Sequence, residues 1–246
     1  NSFSEYKDKY KESVENPEKY WSEVAATFQW KKKWNKVVDW NFETPRVNWF
    51  EGGELNITEN CIDRHLIDKK DKIAILWEPN HPDEEVRRIT YEELAKEVNR
   101  VANVLKSKGV QKGDRVCLYM PMVPELAFAV LACARIGAIH SVVFAGFSAK
   151  ALADRINDSN CKMLFTADFG LRGDKKTPLK EIADEALANC TSITSCIVYK
   201  RTQDSVPMQE GRDEWWHDVM KNASDICEAT TMNAEDELFI LYTSGS

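Results

Sequence analysis

The sequence predicts an α/β fold: a doubly wound, mostly parallel sheet with helices on both faces, preceded by a Trp-rich, mainly helical N-terminal arm. Two observations predict the sheet. Short continuous apolar runs recur from residue 70 onwards, and amphipathic stretches separate them. Strands buried on both faces show continuous apolar runs, whereas half-exposed strands alternate apolar with polar residues. A third observation sets the arm apart: five of the eight tryptophans lie within the first 50 residues.

Length and composition exclude several classes of protein. The 246 residues are 43% hydrophobic and 30% charged, which supplies a full core and excludes a disordered chain. The net charge of −7 argues against a uniformly basic nucleic-acid binder. No apolar run approaches the roughly 20 residues that cross a bilayer, and the chain opens on neither a secretory signal nor a transit peptide. We therefore expect a cytoplasmic protein with no nucleic-acid or membrane partner, and with seven buried, reduced cysteines.

The chain is expected to divide into an arm, residues 1–60, and the first part of a larger domain, residues 61–246. In the arm, a helix start at Asn16-Pro17 precedes apolar side chains at helical spacing up to Phe28. We interpret the tryptophans as packing onto a larger body. The alternative, an aromatic platform for stacking bases, fits poorly with the negative charge.

The larger domain opens with a clear local pattern. An apolar strand at 72–77 is followed by a polar loop and a returning strand at 87–89. Thr90 and Glu93 form a capping box, in which the Thr hydroxyl accepts the Glu93 N–H and the Glu93 carboxylate reaches back. A helix with one apolar stripe follows, and Gly109 can end it.

From residue 113 onwards, predicted strands and helices alternate. The strands are predicted at residues 115–120, 139–144, 162–166, 195–199 and 238–242. The helices between them are predicted to begin near Pro124, Ser148, Thr177-Pro178 and Trp215. This alternation is typical of a parallel sheet covered on both faces.

The last apolar strand runs directly into Thr243-Ser244-Gly245-Ser246. A hydroxyl- and Gly-rich turn after a buried strand can present backbone N–H groups and small side chains to phosphate oxygens. These residues are therefore candidate phosphate ligands, and an ordinary surface turn is the alternative. Because the chain stops inside this turn, we expect the domain to be truncated there.

The run 238–246 resembles the first half of the phosphate loop of the AMP-forming acyl-CoA synthetases, the adenylate-forming superfamily. The family's continuation of the loop, Thr, Gly, Lys and Pro-Lys-Gly, is not present. Further segments resemble the short-chain, acetate-activating branch over essentially the whole chain: 10–21, 49–56, 89–94 and 136–148. The resemblance implies an N-terminal portion of an enzyme that turns ATP, acetate and CoA into acetyl-CoA, AMP and diphosphate through an acetyl-adenylate, with magnesium.

The resemblance also implies ligand-binding residues. Thr243, Ser244, Gly245 and Ser246 would contact the β- and γ-phosphates of ATP. Arg172-Gly173-Asp174-Lys175 matches an Arg-x-x-Arg segment that contacts the CoA nucleotide, with Lys175 replacing the second Arg. Arg binds phosphate through two parallel hydrogen bonds, whereas Lys supplies a point charge. Gly146 falls at another CoA position, where a missing side chain permits close approach. From spacing alone, the Arg172 segment is a solvated charged turn.

The resemblance places the acetate pocket, the adenine contacts and the catalytic lysine beyond Ser246. We therefore expect no catalytic residue in this chain, and no acetate-dependent exchange between ATP and diphosphate by the 246 residues alone. Two alternatives stay open: propionate or another short acyl group as substrate, and a non-catalytic fragment that binds CoA or a nucleotide.

His140 is interpreted as a satisfied core histidine, and Arg135 as complementing a helix dipole. The histidines do not have the spacing of metal ligands, so we propose no metal site.

Overall fold

The computed structural model describes residues 2–202 and 204–243. The chain forms two compact units. One comprises Asn1–Asn60 with Thr231–Asp236, and the other comprises Cys61–Thr230 with Glu237–Ser246. Both units are therefore assembled from segments that are separated along the chain.

The described ranges contain eight α-helices and fourteen strands. The helices are α1 (Phe3–Glu15), α2 (Pro17–Ala25), α3 (Ile57–Cys61), α4 (Tyr91–Ser107), α5 (Pro124–Ile136), α6 (Ala149–Ser159), α7 (Leu179–Leu187) and α8 (Trp216–Met220). The first seven strands are β1 (Lys36–Asn41), β2 (Arg46–Glu51), β3 (Glu54–Leu55), β4 (Ile73–Trp77), β5 (Arg87–Thr90), β6 (Arg115–Leu118) and β7 (Ile139–Val142). The others are β8 (Met163–Ala167), β9 (Gly170–Arg172), β10 (Lys175–Thr177), β11 (Ser195–Tyr199), β12 (Asp213–Trp215), β13 (Met232–Asn233) and β14 (Phe239–Ile240).

The smaller unit contains helices and two antiparallel strand pairs. Ser2 caps α1 by accepting the Glu5 N–H at 3.1 Å, and Pro17 occupies the first turn of α2. β1 pairs with β2, and β3 pairs with β13 from the end of the chain. The helical arm is confirmed, and the β1–β2 hairpin is an addition that the sequence pattern did not predict. The rings of Trp30 and Trp34 lie 4.9 Å apart, so part of the tryptophan cluster packs on itself.

The larger unit is built on a six-stranded sheet in the order β12-β11-β8-β6-β7-β14, in which every neighbouring pair is parallel. This confirms the predicted α/β fold. Two antiparallel hairpins, β4–β5 and β9–β10, lie outside this sheet. The central strands β6, β8 and β11 are mostly apolar and almost entirely buried, as expected of strands covered on both faces.

Each face of the sheet has its own core. Leu118, Phe165 and Ile197 belong to one cluster together with apolar residues of α4 and α5. Cys117 and Leu164, which point the other way, belong to a second cluster with residues of α6 and α7. Successive side chains of a strand point to opposite faces, so adjacent residues enter different cores.

The local signals that end and begin the helices behave as predicted. Thr90 Oγ1 accepts the Glu93 N–H at 3.2 Å, while Glu93 Oε2 accepts the Thr90 N–H at 2.8 Å, which completes the capping box of α4. Gly137 ends α5 with a φ of 73°, a left-handed conformation that favours glycine.

Several strands are shorter than predicted. The strand predicted at 115–120 ends at Leu118, and the strand predicted at 238–242 is only Phe239–Ile240. β14 lies at the edge of the sheet and pairs with β7 on one side. The pairing ends with Ile240 opposite Ser141, one residue before the end of β7, although the apolar sequence continues.

Candidate functional site

The predicted ligand residues follow the carboxyl ends of three strands of the parallel sheet. Gly146 follows β7, the Arg172 segment follows β8, and Thr243 follows β14. In a parallel sheet these ends meet at one edge, which is where α/β folds bind ligands. Since β14 neighbours β7, Gly146 and Thr243 follow adjacent strands. Thr243 is exposed, and Ser244, Gly245 and Ser246 lie outside the described residues.

The Arg172 segment is a β-hairpin, where the spacing alone predicts only a charged turn. β9 and β10 pair antiparallel, with Gly173 and Asp174 forming the two-residue turn between them. Gly173 has a φ of 55°, and Asp174 has a negative φ, as in a type II′ hairpin turn. The hairpin therefore fixes the orientation of the two basic side chains beside the turn.

Arg172 and Lys175 are directly opposite each other across this hairpin. Side chains at such positions share one face, with Cβ atoms about 5 Å apart, and like charges there repel each other. Both residues are exposed, and the described residues give neither of them an ion-pair partner. An anion between the two side chains would remove the repulsion.

The neighbouring Lys176 differs from these two cations. Its ammonium forms an ion pair with Asp204 and lies 4.2 Å from the centre of the Phe169 ring. Lys176 is on the opposite side of the strand from Lys175, because successive side chains alternate. The hairpin therefore separates a neutralised lysine from a pair of cations that is available to an anionic ligand.

A side chain from a distant loop holds the hairpin turn. Asn80, between β4 and β5, donates through Nδ2 to the Gly173 carbonyl oxygen at 3.0 Å and accepts the Gly173 N–H at Oδ1 at 2.8 Å. Both polar groups of one turn residue are thus satisfied by one amide side chain. Sequence reasoning missed Asn80, because a single Asn in a polar loop gives no signal of a partner so far along the chain.

A buried carboxylate supports the base of the hairpin. Asp168, which directly follows β8, is 0% exposed. It accepts the backbone N–H groups of Arg201 and Thr202, at 2.7 and 2.9 Å, and the Thr202 hydroxyl at 3.0 Å. These hydrogen bonds tie the chain after β8 to the chain after β11. The hydrogen bonds of Asp168 consequently fix the position of the chain just before the hairpin begins.

The loop that contains Gly146 is closely packed. A Cβ atom at Gly146 would lie 2.3 Å from the Phe144 ring, so a side chain there would displace that ring. The hydroxyl of Tyr119 donates to the Phe147 carbonyl oxygen at 2.8 Å. Burial raises the pKa of Tyr119 to about 12, which keeps the hydroxyl protonated as a donor. Gly146 itself is exposed, and the hydrogen bond from Tyr119 to the next residue fixes the loop that contains it.

The residue before Thr243 is anchored as well. The Tyr242 hydroxyl donates to Asp158 Oδ2 at 2.6 Å, which links the end of β14 to α6. Burial and the hydrogen bond to Asp158 raise the pKa of Tyr242 to about 12. The start of the predicted phosphate loop is thus attached to the body of the larger unit.

His140 lies in β7 of the parallel sheet. The interpretation of His140 as a satisfied core residue is wrong in one respect: within the described residues its Nδ1 has no hydrogen-bond partner. The centres of its ring and the Phe239 ring are 5.7 Å apart in a stacked arrangement, and burial lowers the pKa of His140.

The described parts contain no group of three or more His, Cys, Asp or Glu side chains that could hold a metal ion. No helix there combines the length and the apolar character that crossing a membrane requires.

Comparison with known proteins matches almost the whole chain to one kind of enzyme. The family described as "AMP-binding enzyme" matches residues 62–246, and the family described as "Acetyl-coenzyme A synthetase N-terminus" matches residues 6–61. The acetyl-coenzyme A synthetase of Magnetococcus marinus is 51% identical over 98% of this chain and 38% of that protein. Acetyl-coenzyme A synthetase 2 of Pseudomonas aeruginosa is 52% identical over the same shares of the two chains.

A solved structure supports the fold. The acetoacetyl-CoA synthetase from Streptomyces lividans has a TM-score of 0.86 at 24% identity, covering 96% of this chain and 35% of that chain. At this identity the likeness shows the fold alone. The chain spans about 38% of the length of the curated relatives that it matches.

Proposed function

Because the chain belongs to the family of AMP-binding enzymes, we propose that it is the N-terminal portion of an acetate–CoA ligase. The proposed reaction joins acetate to ATP as acetyl-adenylate with release of diphosphate, and CoA then displaces AMP to give acetyl-CoA. Acetate as the acid is supported by the names of relatives at 51% and 52% identity.

Both steps bring anions together, so the protein must supply positively charged groups and hydrogen-bond donors. A carboxylate that attacks an α-phosphate approaches a group of like charge, so cations and N–H donors must stabilise the developing charge. Magnesium would enter with ATP and shield its phosphates. We propose that Thr243, Ser244, Gly245 and Ser246 bind the β- and γ-phosphates, and their place after a parallel strand supports this role.

The observation that carries the proposal is that Arg172 and Lys175 lie opposite each other and have no ion-pair partner among the described residues. The CoA nucleotide bears a diphosphate and a 3′-phosphate, and two adjacent cations suit such a ligand. Arg172 can bind a phosphate oxygen pair bidentately, while Lys175 adds charge. Gly173 and Asp174 complete the turn, and the exposure of Gly146, which has no side chain, supports its role as a CoA contact.

We further propose that residues 1–60 form the N-terminal arm of the synthetase and residues 61–246 the first part of its AMP-binding domain. The family matches to residues 6–61 and 62–246 support this division. A cytoplasmic location is supported by the seven cysteines, whose thiols are reduced, as is typical of a reducing compartment.

The test is an exchange assay on the full-length protein that contains this chain. We expect acetate-dependent exchange of labelled diphosphate into ATP, followed by acetyl-CoA formation when CoA is added. The isolated 246 residues should show no exchange. Full-length protein without acetate-dependent exchange would refute the function, and a higher kcat/KM for propionate than for acetate would change the substrate.

A further inference from the structure

The two candidate ligand loops are joined by a continuous stack of side chains. The rings of Phe144 and Phe147 meet edge to face with centroids 5.7 Å apart. The guanidinium of Arg155 lies 4.6 Å from the centre of the Phe147 ring and 5.1 Å from the centre of the Tyr242 ring. One arginine of α6 therefore contacts an aromatic ring from each loop.

The position of these rings in the sequence gives the stack its significance. Phe147 directly follows Gly146, a candidate CoA contact, and Tyr242 directly precedes Thr243, a candidate ATP phosphate contact. β7 and β14, which lead into the two loops, are neighbours in the sheet. A displacement of either loop would consequently change the contact between its aromatic ring and Arg155.

Arg155 itself is well fixed. It is partly buried, and its Nη1 donates to the Ala151 carbonyl oxygen in the preceding turn of α6 at 2.8 Å. The described residues give its guanidinium no carboxylate partner within ion-pair distance, and this group lies against the two rings. A planar guanidinium can stack on a ring with each of its faces, which a lysine ammonium cannot do.

We propose that Arg155 is a positioning residue shared by the two candidate sites, which sets the ATP phosphate loop and the Gly146 loop relative to each other. The proposal rests on the proposed function, because it assigns ATP to one loop and CoA to the other. In this role Arg155 acts without contacting either ligand itself. Its effect is transmitted through the rings of Phe147 and Tyr242.

The experiment measures two KM values on the full-length enzyme carrying Arg155→Ala or Arg155→Lys. The KM for ATP is taken from acetate-dependent exchange without CoA, and the KM for CoA from the complete reaction. Loss of the stack in Arg155→Ala should raise both KM values about three- to tenfold, the range expected of cation–π contacts, with a smaller change in kcat. Arg155→Lys, which keeps the charge without the planar group, should raise both by less.

Lys150→Ala is the matched control, because Lys150 lies on the same helix with a side chain that is 84% exposed. It should leave both KM values unchanged. A rise in only one KM for the Arg155 variants would assign the residue to one loop and overturn the shared role, as would no rise in either. If Arg155→Ala lowers the melting temperature sharply, the KM values of Arg155→Lys decide. Wild-type enzyme without exchange would refute the proposed function itself.

Discussion

Two clusters of charged residues in the larger unit differ in whether their charges are paired. In one, Lys180, Asp184, Arg212 and Asp213 form a closed network: Lys180 Nζ lies 2.7 Å from Asp184 Oδ2 and 2.8 Å from Asp213 Oδ2, and Arg212 contacts both carboxylates. In the other, Arg172 and Lys175 face each other without ion-pair partners in the described residues. The first cluster satisfies its charges internally, whereas the second leaves them available to a ligand.

Burial explains why the network must be complete. The side chains of Lys180 and Asp213 are both 0% exposed. Although burial favours the neutral acid, hydrogen bonds from Arg212 and Lys180 hold the pKa of Asp213 below its usual value. A charge at such a position is tolerated only with its partners present. At the exposed hairpin, water can solvate the charges of Arg172 and Lys175.

The largest effect is expected from opening the buried network. Lys180→Met should destabilise the protein by about 3–5 kcal/mol, because it leaves Asp213 buried with one of its cations removed. Urea unfolding followed by circular dichroism measures this change. Lys150→Met, at an ion pair whose side chains are 84% and 62% exposed, should cost less than about 1 kcal/mol. Equal costs for the two variants would contradict the contrast between buried and exposed charges.

The exposed pair should respond in the opposite way. Arg172→Ala should weaken CoA binding by about tenfold or more, the usual contribution of a hydrogen bond to a charged group. Its unfolding free energy should stay the same or rise slightly, since the like-charge repulsion with Lys175 is removed. Calorimetric titration with CoA gives the affinity. Lys176→Ala is the control, because that ammonium already pairs with Asp204. Unchanged affinity in Arg172→Ala would remove Arg172 from the site.

A smaller effect is expected from the side chain that holds the hairpin turn. Asn80→Ala removes both hydrogen bonds to Gly173 and should weaken CoA binding by about three- to fivefold, equivalent to roughly 1 kcal/mol. Unfolding should change much less than in Lys180→Met. His81→Ala tests the specificity, because the His81 ring accepts the Asp83 N–H within the same loop, at 3.3 Å, and its loss leaves the Asn80 hydrogen bonds in place. A similar loss of affinity in both variants would indicate a general effect of the loop.

The smallest effect is on the pH dependence of stability. Because the pKa of folded Asp213 is below its usual 3.8, its contribution is fully present above about pH 4 and is lost as the pH falls through the folded pKa. The unfolding free energy of the wild type should therefore decrease more steeply on acidification below about pH 4 than that of Asp213→Asn. Urea unfolding at several acidic pH values measures the two slopes. Equal slopes would mean that Asp213 does not have a lowered pKa.

The sequence predicts the features whose signals are local. The Thr90–Glu93 capping box and the Gly137 helix end each depend on residues within one turn, and both are present. The turn of the hairpin at Arg172 is held by Asn80, 93 positions before Gly173, and no local pattern shows that contact. Arg135 is similar. Its position favours a role at the helix dipole, whereas the structure pairs it with both oxygens of Asp63 at 3.1 Å.

The same limit applies to the candidate site. Gly146, Arg172 and Lys175 were identified by resemblance, and the predicted alternation of strands and helices places their loops at one sheet edge. The direct opposition of Arg172 and Lys175 follows from the strand register, which depends on a positive φ at Gly173. The stack around Arg155 involves residues from three separate elements. Side-chain contacts of this kind are set by tertiary packing, which periodicity does not encode.

The pairing of β3 with β13 has a consequence for the order in which the protein is made. Met232 lies opposite Leu55, and the Ala234 N–H donates to the Gly53 carbonyl oxygen at 2.9 Å, so residues 231–236 complete a unit that begins at the N-terminus. A ribosome adds about 5–20 residues per second, so the nascent smaller unit waits on the order of ten seconds for its last strand. Almost all of the larger unit emerges during that interval. The part of the chain that is synthesised first is therefore completed only after residues 61–230 have been made.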